Sequence, residues 1–140
     1  MKSTKLLIDG NIILDVMQKR EPFYRDSSMI WKLCETGICT GSISALTFAD
    51  MVYIMRKELD PEDIKRVLER LDLIFTIEDL RGDDLLLAAE MKWQDYEDAL
   101  QEVTAKRIKA EYIVTRNLKD FTEGTVTAVS PGDLLAVLSA

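Results

Sequence analysis

Short apolar runs alternate along this chain with longer segments in which apolar residues recur at helical spacing. Each run is brief and is bounded by polar residues or glycine, which is typical of a buried strand. This pattern predicts about five strands, in the segments KLLID, ICTGSIS, LIFTIE, YIVT and TVTAVS.

Six longer segments between and after these runs carry helix signals. Ser44 and Asp60 are placed to cap two helices, Pro61 suits a first helical position, and Gly37 marks a helix end. The predicted helices lie in EPFYRDSSMIWKLCETG, SALTFADMVYIMRKEL, DPEDIKRVLERLDL, RGDDLLLAAEMK, DYEDALQEVTAKRIKAE and SPGDLLAVLSA. Short strands alternating with such helices indicate an α/β domain with a mainly parallel sheet. The length of 140 residues predicts one domain over residues 1–140.

Composition restricts the chemistry more than the fold. The chain has 18 basic and 25 acidic residues, a net charge of −7 and no histidine. The absence of histidine excludes Ser-His-Asp and Cys-His catalysis and the usual histidine-containing zinc sites. Cys34 and Cys39 are too few for a disulfide framework, and no run is long enough to span a bilayer. The start MKSTKLLIDGN also lacks the features of a secretory signal, so we expect a cytoplasmic protein with two buried or half-buried, reduced thiols.

Acidic and amide side chains recur where predicted strands end or helices begin. Functional groups of a parallel sheet gather beyond the carboxyl ends of its strands. The residues placed there are Asp9, Asp50, Asp95, Asp98, Asn117 and Asp120. Taken singly, each is explained by capping, a turn or a solvated helix position. Taken together, carboxylates at one sheet edge repel one another and must be protonated or neutralised by a cation. Oxygen ligands suit Mg²⁺ or Mn²⁺.

Basic residues near these acids are candidates for phosphate contacts. Arg116 and Lys119 flank Asn117 and are the stronger candidates. Lys106, Arg107 and Lys109 follow Asp98 on the same predicted helix, where a solvated helix face explains them equally well.

Four segments, in this order and at these separations, resemble the PIN domain, particularly VapC-type toxin nucleases and their stand-alone bacterial relatives. They are LLIDGNIILD, SISALTFADMVYIMRK, DYEDALQ and YIVTRNLKDF. The resemblance covers nearly the whole chain and implies a three-layer α/β/α sandwich. It also implies a Mg²⁺- or Mn²⁺-dependent ribonuclease. By this resemblance Asp9, Asp98 and Asp120 are metal ligands, Asn11 and Asn117 are supporting residues, and Asp95 is an accessory acid.

Two positions depart from the family pattern. Gly10 stands where threonine is common between the aspartate and the asparagine, and Asp50 stands where the family usually has glutamate. An aspartate reaches less far by one methylene group. These departures leave two functions open: an endoribonuclease that uses Asp9, Asp50, Asp98 and Asp120, or a PIN-fold binding module with little or no activity. A phosphotransfer enzyme of the haloacid dehalogenase type is excluded, because Leu7 stands where its aspartate nucleophile is needed.

The resemblance also implies partners. VapC-type proteins are inhibited by a small antitoxin protein and commonly form dimers, so we expect an RNA substrate, a possible antitoxin and a homodimer. Trp31, Tyr53 and Met55 are either core residues or part of a dimer surface, and the core is the favoured interpretation.

Overall fold

The computed structural model of the protein describes residues 3–140, which form five strands, seven α-helices and one short 3₁₀ helix. In chain order these are β1 (Thr4–Ile8), α1 (Gly10–Met17), α2 (Tyr24–Glu35), β2 (Cys39–Ser44), α3 (Ala45–Met55), α4 (Pro61–Ile74), β3 (Thr76–Glu78), α5 (Gly82–Met91), α6 (Tyr96–Arg107), β4 (Tyr112–Val114), the 3₁₀ helix (Leu118–Phe121), β5 (Thr127–Val129) and α7 (Pro131–Ser139).

The five strands form one sheet in the order β3-β2-β1-β4-β5, and every neighbouring pair is parallel. The first strand lies at the centre, where Leu7 pairs with Ser42 of β2 on one side and with Ile113 of β4 on the other. From β1 the chain passes outwards through β2 and β3 on one side of the sheet. It then returns to the other side of β1 and continues outwards through β4 and β5. The carboxyl ends of β1 and β4 therefore meet at a topological switch point.

Alternating side chains of β1 divide the core between two faces of the sheet. Leu6 and Ile8 pack with α1, α2, α3, α4 and α7, whereas Leu7 packs with α6 on the opposite face. Helix α5 packs on α6 through a further small cluster that contains Ala88 and Leu100. Helices thus cover both faces, which confirms the predicted three-layer α/β/α arrangement.

The helix signals are confirmed at both predicted caps. The Ser44 side chain accepts from the backbone N–H of Thr47, and the Asp60 side chain accepts from that of Asp63. Several elements differ from the prediction: the 3₁₀ helix was not predicted, and β5 is shorter than TVTAVS. Helix α1 was not predicted, and β3 is shorter than LIFTIE because Leu73 and Ile74 continue α4.

The remaining expectations about the core have mixed outcomes. Cys34 and Cys39 are free and buried, as predicted. Met55 is buried and Trp31 is half-buried, with its ring edge-on to Phe75 at 5.2 Å. The favoured interpretation of Tyr53 as a core residue is wrong, since 62% of it is exposed. Within residues 3–140, no helix combines the length and apolarity that a membrane span requires.

Candidate active site

Asp9 lies at the carboxyl end of β1, between the sheet and helix α1. Its backbone N–H donates to the carbonyl oxygen of Val114 at 2.9 Å, which ties it to the end of β4. Its carboxylate caps α1 by accepting from the backbone N–H of Gly10 at 2.8 Å. The residue is therefore both a helix cap and a rigidly placed acid.

Further donors surround the Asp9 carboxylate. The hydroxyl of Thr115 donates to it at 2.8 Å, and the Gln101 side-chain amide donates from α6 at 3.4 Å. The Asn11 amide lies at the limit of hydrogen bonding, 3.5 Å away. Burial raises the pKa of Asp9, and the negative charge of Asp120 adds to this, while the hydrogen bonds from Thr115, Gly10 and Gln101 act in the opposite direction.

Asp98 faces Asp9 from the first turn of α6. The Asp95 carboxylate caps this helix by accepting from the backbone N–H of Asp98 at 3.1 Å. Burial raises the pKa of Asp98 to about 7, with further contributions from the charges of Asp95, Asp9, Asp120 and Glu97. Like charges close together favour the protonated form or a bound cation.

One hollow at this sheet edge, which we call the acidic hollow, brings the predicted residues together. Its volume is about 350 Å³. All six predicted acids and amides line it, as do Gly10 and Asn11: Asp9, Gly10, Asn11, Asp50, Asp95, Asp98, Asn117 and Asp120.

The basic residues that were candidates for phosphate contacts have different surroundings in the structure. Arg116 turns away from the acidic hollow, because its Nε and Nη2 donate to the buried Asp15 carboxylate at 2.8 and 3.0 Å, and its guanidinium stacks on Phe23. Its assignment as a phosphate contact is therefore replaced by a structural ion pair. Arg107 is likewise engaged, by Asp84 at 3.0 Å. Lys119 is exposed and lies beside Asp120.

Several residues of the site were not identified from the sequence. Glu97 and Arg20 line the acidic hollow, and Gln101 and Thr115 hold Asp9. Burial raises the pKa of Glu97, and the charges of Asp50 and Asp95 raise it further. The signal for Glu97 was present in its position between Asp95 and Asp98, but an acid in the first turn of a helix is already explained by the helix dipole.

The side chains that line the acidic hollow suit a hard divalent cation, although their oxygen atoms do not converge on one point. The hollow is rich in carboxylate and amide oxygens, the ligands that Mg²⁺ and Mn²⁺ prefer, and the Asn11 Oδ1 is buried with no hydrogen-bond donor. In residues 3–140, no group of three or more Asp, Glu or Cys side chains is already arranged to hold a metal ion. Binding of a metal ion would therefore require side-chain movement.

Comparison with known proteins identifies the family. The sequence matches the PIN domain over residues 5–119, which is most of the chain. The chain belongs to the PIN domain family. The matched range includes Asp9, Asp50 and Asp98 and ends one residue before Asp120.

Individual proteins are also similar to this chain in sequence or in structure. Ribonuclease VapC1 of Aquifex aeolicus (strain VF5) is 26% identical over 125 residues, which cover 84% of this chain and 84% of that protein. A toxin-antitoxin complex from Klebsiella pneumoniae contains a chain that is 24% identical, with a TM-score of 0.68 over 90% of this chain and 97% of its own. FitAcB from Neisseria gonorrhoeae gives a TM-score of 0.69 at 18% identity, over 91% of this chain and 98% of its own. The two structures share the PIN fold with this chain.

Proposed function

We propose that this PIN domain protein is a metal-dependent endoribonuclease that hydrolyses RNA phosphodiester bonds in the acidic hollow. The observation that carries the proposal is the meeting of Asp9, Asp50, Asp98 and Asp120 in one hollow, where burial and mutual repulsion raise the pKa values of Asp9 and Asp98. Such an arrangement is unfavourable unless a cation or a proton compensates it. The similarity to Ribonuclease VapC1 supports RNA as the substrate.

Asp9, Asp98 and Asp120 would hold Mg²⁺ or Mn²⁺, with Asp50 contributing directly or through water. When bound, such an ion supplies positive charge that activates water and stabilises the phosphodiester during hydrolysis. The protein itself fixes the first acid, because Thr115 and Gln101 orient the Asp9 carboxylate. Burial and the charge of the neighbouring Asp50 raise the pKa of Glu97, so this acid takes up a proton more readily than an exposed glutamate.

The charge of the substrate is met by two basic side chains of the site. Arg20 lines the acidic hollow and Lys119 lies at its outer side with Asp120, so each is placed to contact a phosphate. Arg116 does not serve this purpose, because Asp15 already binds its guanidinium through two hydrogen bonds.

The toxin–antitoxin complex among the structural neighbours supports a small antitoxin protein as a partner, and with it the role of a toxin. Exposed Tyr53 and Ile54 on α3 are candidates for a homodimer surface. Size-exclusion chromatography with light scattering tests the dimer, and Tyr53→Ala is the informative variant. We place the protein in the cytoplasm, where its two buried free thiols stay reduced.

The function is tested by RNA cleavage with Mg²⁺ or Mn²⁺, with and without chelator, using wild-type protein, Asp98→Asn and the control Asp72→Asn. Asp72 is an exposed aspartate of α4 that does not line the acidic hollow. We expect metal-dependent cleavage by the wild type and the control and a loss of at least a hundredfold in Asp98→Asn. Calorimetric Mn²⁺ binding should weaken in parallel.

A second function is favoured by one specific observation, the open arrangement of the acids among residues 3–140. On this view the chain is a PIN-fold module that binds nucleic acid or protein without cleaving it. Absence of cleavage and of Mn²⁺ binding in folded wild-type protein, across several RNAs, would select this function over the nuclease.

A further inference from the structure

A second, larger hollow adjoins the acidic hollow, and we call it the outer groove. Its volume is about 830 Å³, and it is lined by residues 92–98 on one side and by Lys119, Asp120, Thr122 and Glu123 on the other. The two hollows share four acids: Asp95, Glu97, Asp98 and Asp120. A ligand that lies in the outer groove therefore extends directly to the proposed reaction site.

Beyond the shared acids, the lining of the outer groove has a different character. It consists of two lysines, two aromatic residues, two uncharged polar residues and a single acid: Lys92, Lys119, Trp93, Tyr96, Gln94, Thr122 and Glu123. Both lysines are exposed, and within residues 3–140 neither belongs to an ion pair. Aromatic faces beside free positive charges are the features by which proteins hold single-stranded nucleic acids.

The aromatic wall of the outer groove is held in place by contacts outside it. Tyr96 is 42% exposed, yet its hydroxyl donates to the carbonyl oxygen of Leu85 on α5 at 2.8 Å. Trp93 is half-buried and packs edge-on against Phe121, with ring centroids 6.2 Å apart. A ring that is both exposed and fixed loses little conformational freedom when a base stacks on it.

We infer that the outer groove binds the single-stranded RNA segment next to the scissile phosphate, with a nucleobase stacked on Tyr96 and backbone phosphates beside Lys92 and Lys119. This inference rests on the proposed function, because it takes the acidic hollow as the end of the substrate path. A single strand is required, since the bases of a duplex are stacked on one another and do not offer their faces.

The test is fluorescence anisotropy of a labelled 12-nucleotide single-stranded RNA, measured with the full chain carrying Asp98→Asn in Mg²⁺ buffer. Tyr96→Ala should raise Kd by roughly 5- to 150-fold, the equivalent of one stacked base. Tyr96→Phe keeps the ring and should stay within about twofold. The control Tyr24→Ala removes a tyrosine of α2 that lies outside both hollows, and should leave Kd unchanged.

The lysines are tested by the salt dependence of the same binding. Removing two phosphate contacts in Lys92→Ala/Lys119→Ala should reduce the slope of log K against log salt by about 1.4. Lys57, an exposed lysine after α3, lines neither hollow, so Lys57→Ala should not change the slope. A duplex of the same sequence should bind more weakly than the single strand.

The outcomes separate this inference from the proposed function. If wild-type protein cleaves RNA but Tyr96→Ala leaves Kd and KM unchanged, the outer groove is not the RNA path, and the nuclease stands. If RNA binding depends on Tyr96 but no metal supports cleavage, the groove assignment stands and the nuclease fails. Binding of a basic peptide in the groove without binding of RNA would overturn the inference in favour of a protein partner.

Discussion

The buried Glu102 carboxylate accepts hydrogen bonds from both the backbone N–H and the hydroxyl of Thr125, at 2.9 and 3.1 Å. The backbone N–H of Val126 adds a third donor at 3.3 Å. Glu102 lies one helical turn after Asp98 on α6, and Thr125 follows the 3₁₀ helix that carries Asp120. The pairing therefore holds the two acid-bearing segments in a fixed relation.

Replacing this acid should loosen the segment after Asp120. Glu102→Gln places an amide nitrogen against N–H and O–H donors, so we expect the free energy of unfolding to fall by about 1–3 kcal/mol. Urea denaturation measures the change, with the exposed Glu123→Gln as control. The positioning role is wrong if both variants unfold at the same urea concentration. Gly124→Ala should also destabilise the protein, because a Cβ there meets the Glu102 carboxylate.

Asp98 gives the metal-free protein a defined pH dependence. Its pKa is raised from an ordinary 3.8 to about 7 in the folded protein, first by burial and then by Asp95, Asp9 and Asp120. Between these values the native state binds a proton that the unfolded state has released, so the free energy of unfolding falls as pH rises from about 4 through about 7.

Urea denaturation in chelator, from about pH 5 to pH 8, checks this sign. Asp98→Asn should show a shallower decline than the wild type and should be the more stable of the two near pH 8. Parallel curves for the two proteins would show that Asp98 does not titrate in this range. Added Mg²⁺ should reduce the difference at high pH if the ion binds there.

Replacing Arg116 should destabilise the protein, whereas replacing Lys119 should leave its stability nearly unchanged. Arg116→Ala leaves the fully buried Asp15 without its cation, which is expected to lower the free energy of unfolding by about 3–5 kcal/mol. Lys119→Ala should change stability by no more than about 0.5 kcal/mol, because this lysine is exposed and unpaired in the described chain. Chemical denaturation of the two variants measures both changes. A small loss of stability in Arg116→Ala would argue against a structural role for the ion pair between Arg116 and Asp15.

Gly10 makes a close approach to α3 that a side chain would disturb. A Cβ at this position would lie 3.2 Å from Thr47 Cγ2, which is a tight contact. Thr47→Ser removes that methyl group and keeps the oxygen that lies 3.0 Å from Ser44 Oγ. A double-mutant cycle of Gly10→Ala and Thr47→Ser, followed by urea denaturation, should give a favourable coupling of at least about 0.5 kcal/mol. Additive effects would mean that the two sites do not touch.

The effect of side-chain length at position 50 on metal binding can be tested directly. Asp50 lines the acidic hollow, and Asp50→Glu adds one methylene group towards its centre. We expect Mn²⁺ affinity to increase severalfold by calorimetry, with Asp72→Glu on α4 as a length-matched control. An unchanged or weaker affinity would show that the shorter side chain is not what limits binding.

The placement of the strand-terminal acids at one sheet edge can be predicted from the sequence, because their positions follow from local structure. A parallel sheet brings the carboxyl ends of neighbouring strands to one edge, so Asp9 and the residues after β4 meet once the strand order places β1 beside β4. Helix α1 is harder to predict, because its apolar residues Ile12, Ile13 and Leu14 are consecutive and all buried, which hides the helical period.

The contacts that sequence analysis did not predict join residues far apart in the chain. Nothing local to Arg116 indicates that Asp15, 101 positions earlier, binds its guanidinium. Similarly, Gln101 and Thr115 reach Asp9 from distant segments and carry side chains that are common in ordinary helices and strands. Such partners are determined by tertiary packing, which the hydrophobic pattern of a single segment does not record.

The central position of β1 has a consequence for synthesis. Strand β1 is synthesised before its neighbours in the sheet, and its partner β4, at Tyr112–Val114, follows only after β2, β3 and helices α1 to α6. Asp9 gains Thr115, and the acidic hollow gains Asp120, only after these intervening elements have been made. A nascent chain that lacks the segment from β4 to the 3₁₀ helix therefore cannot assemble the acidic hollow.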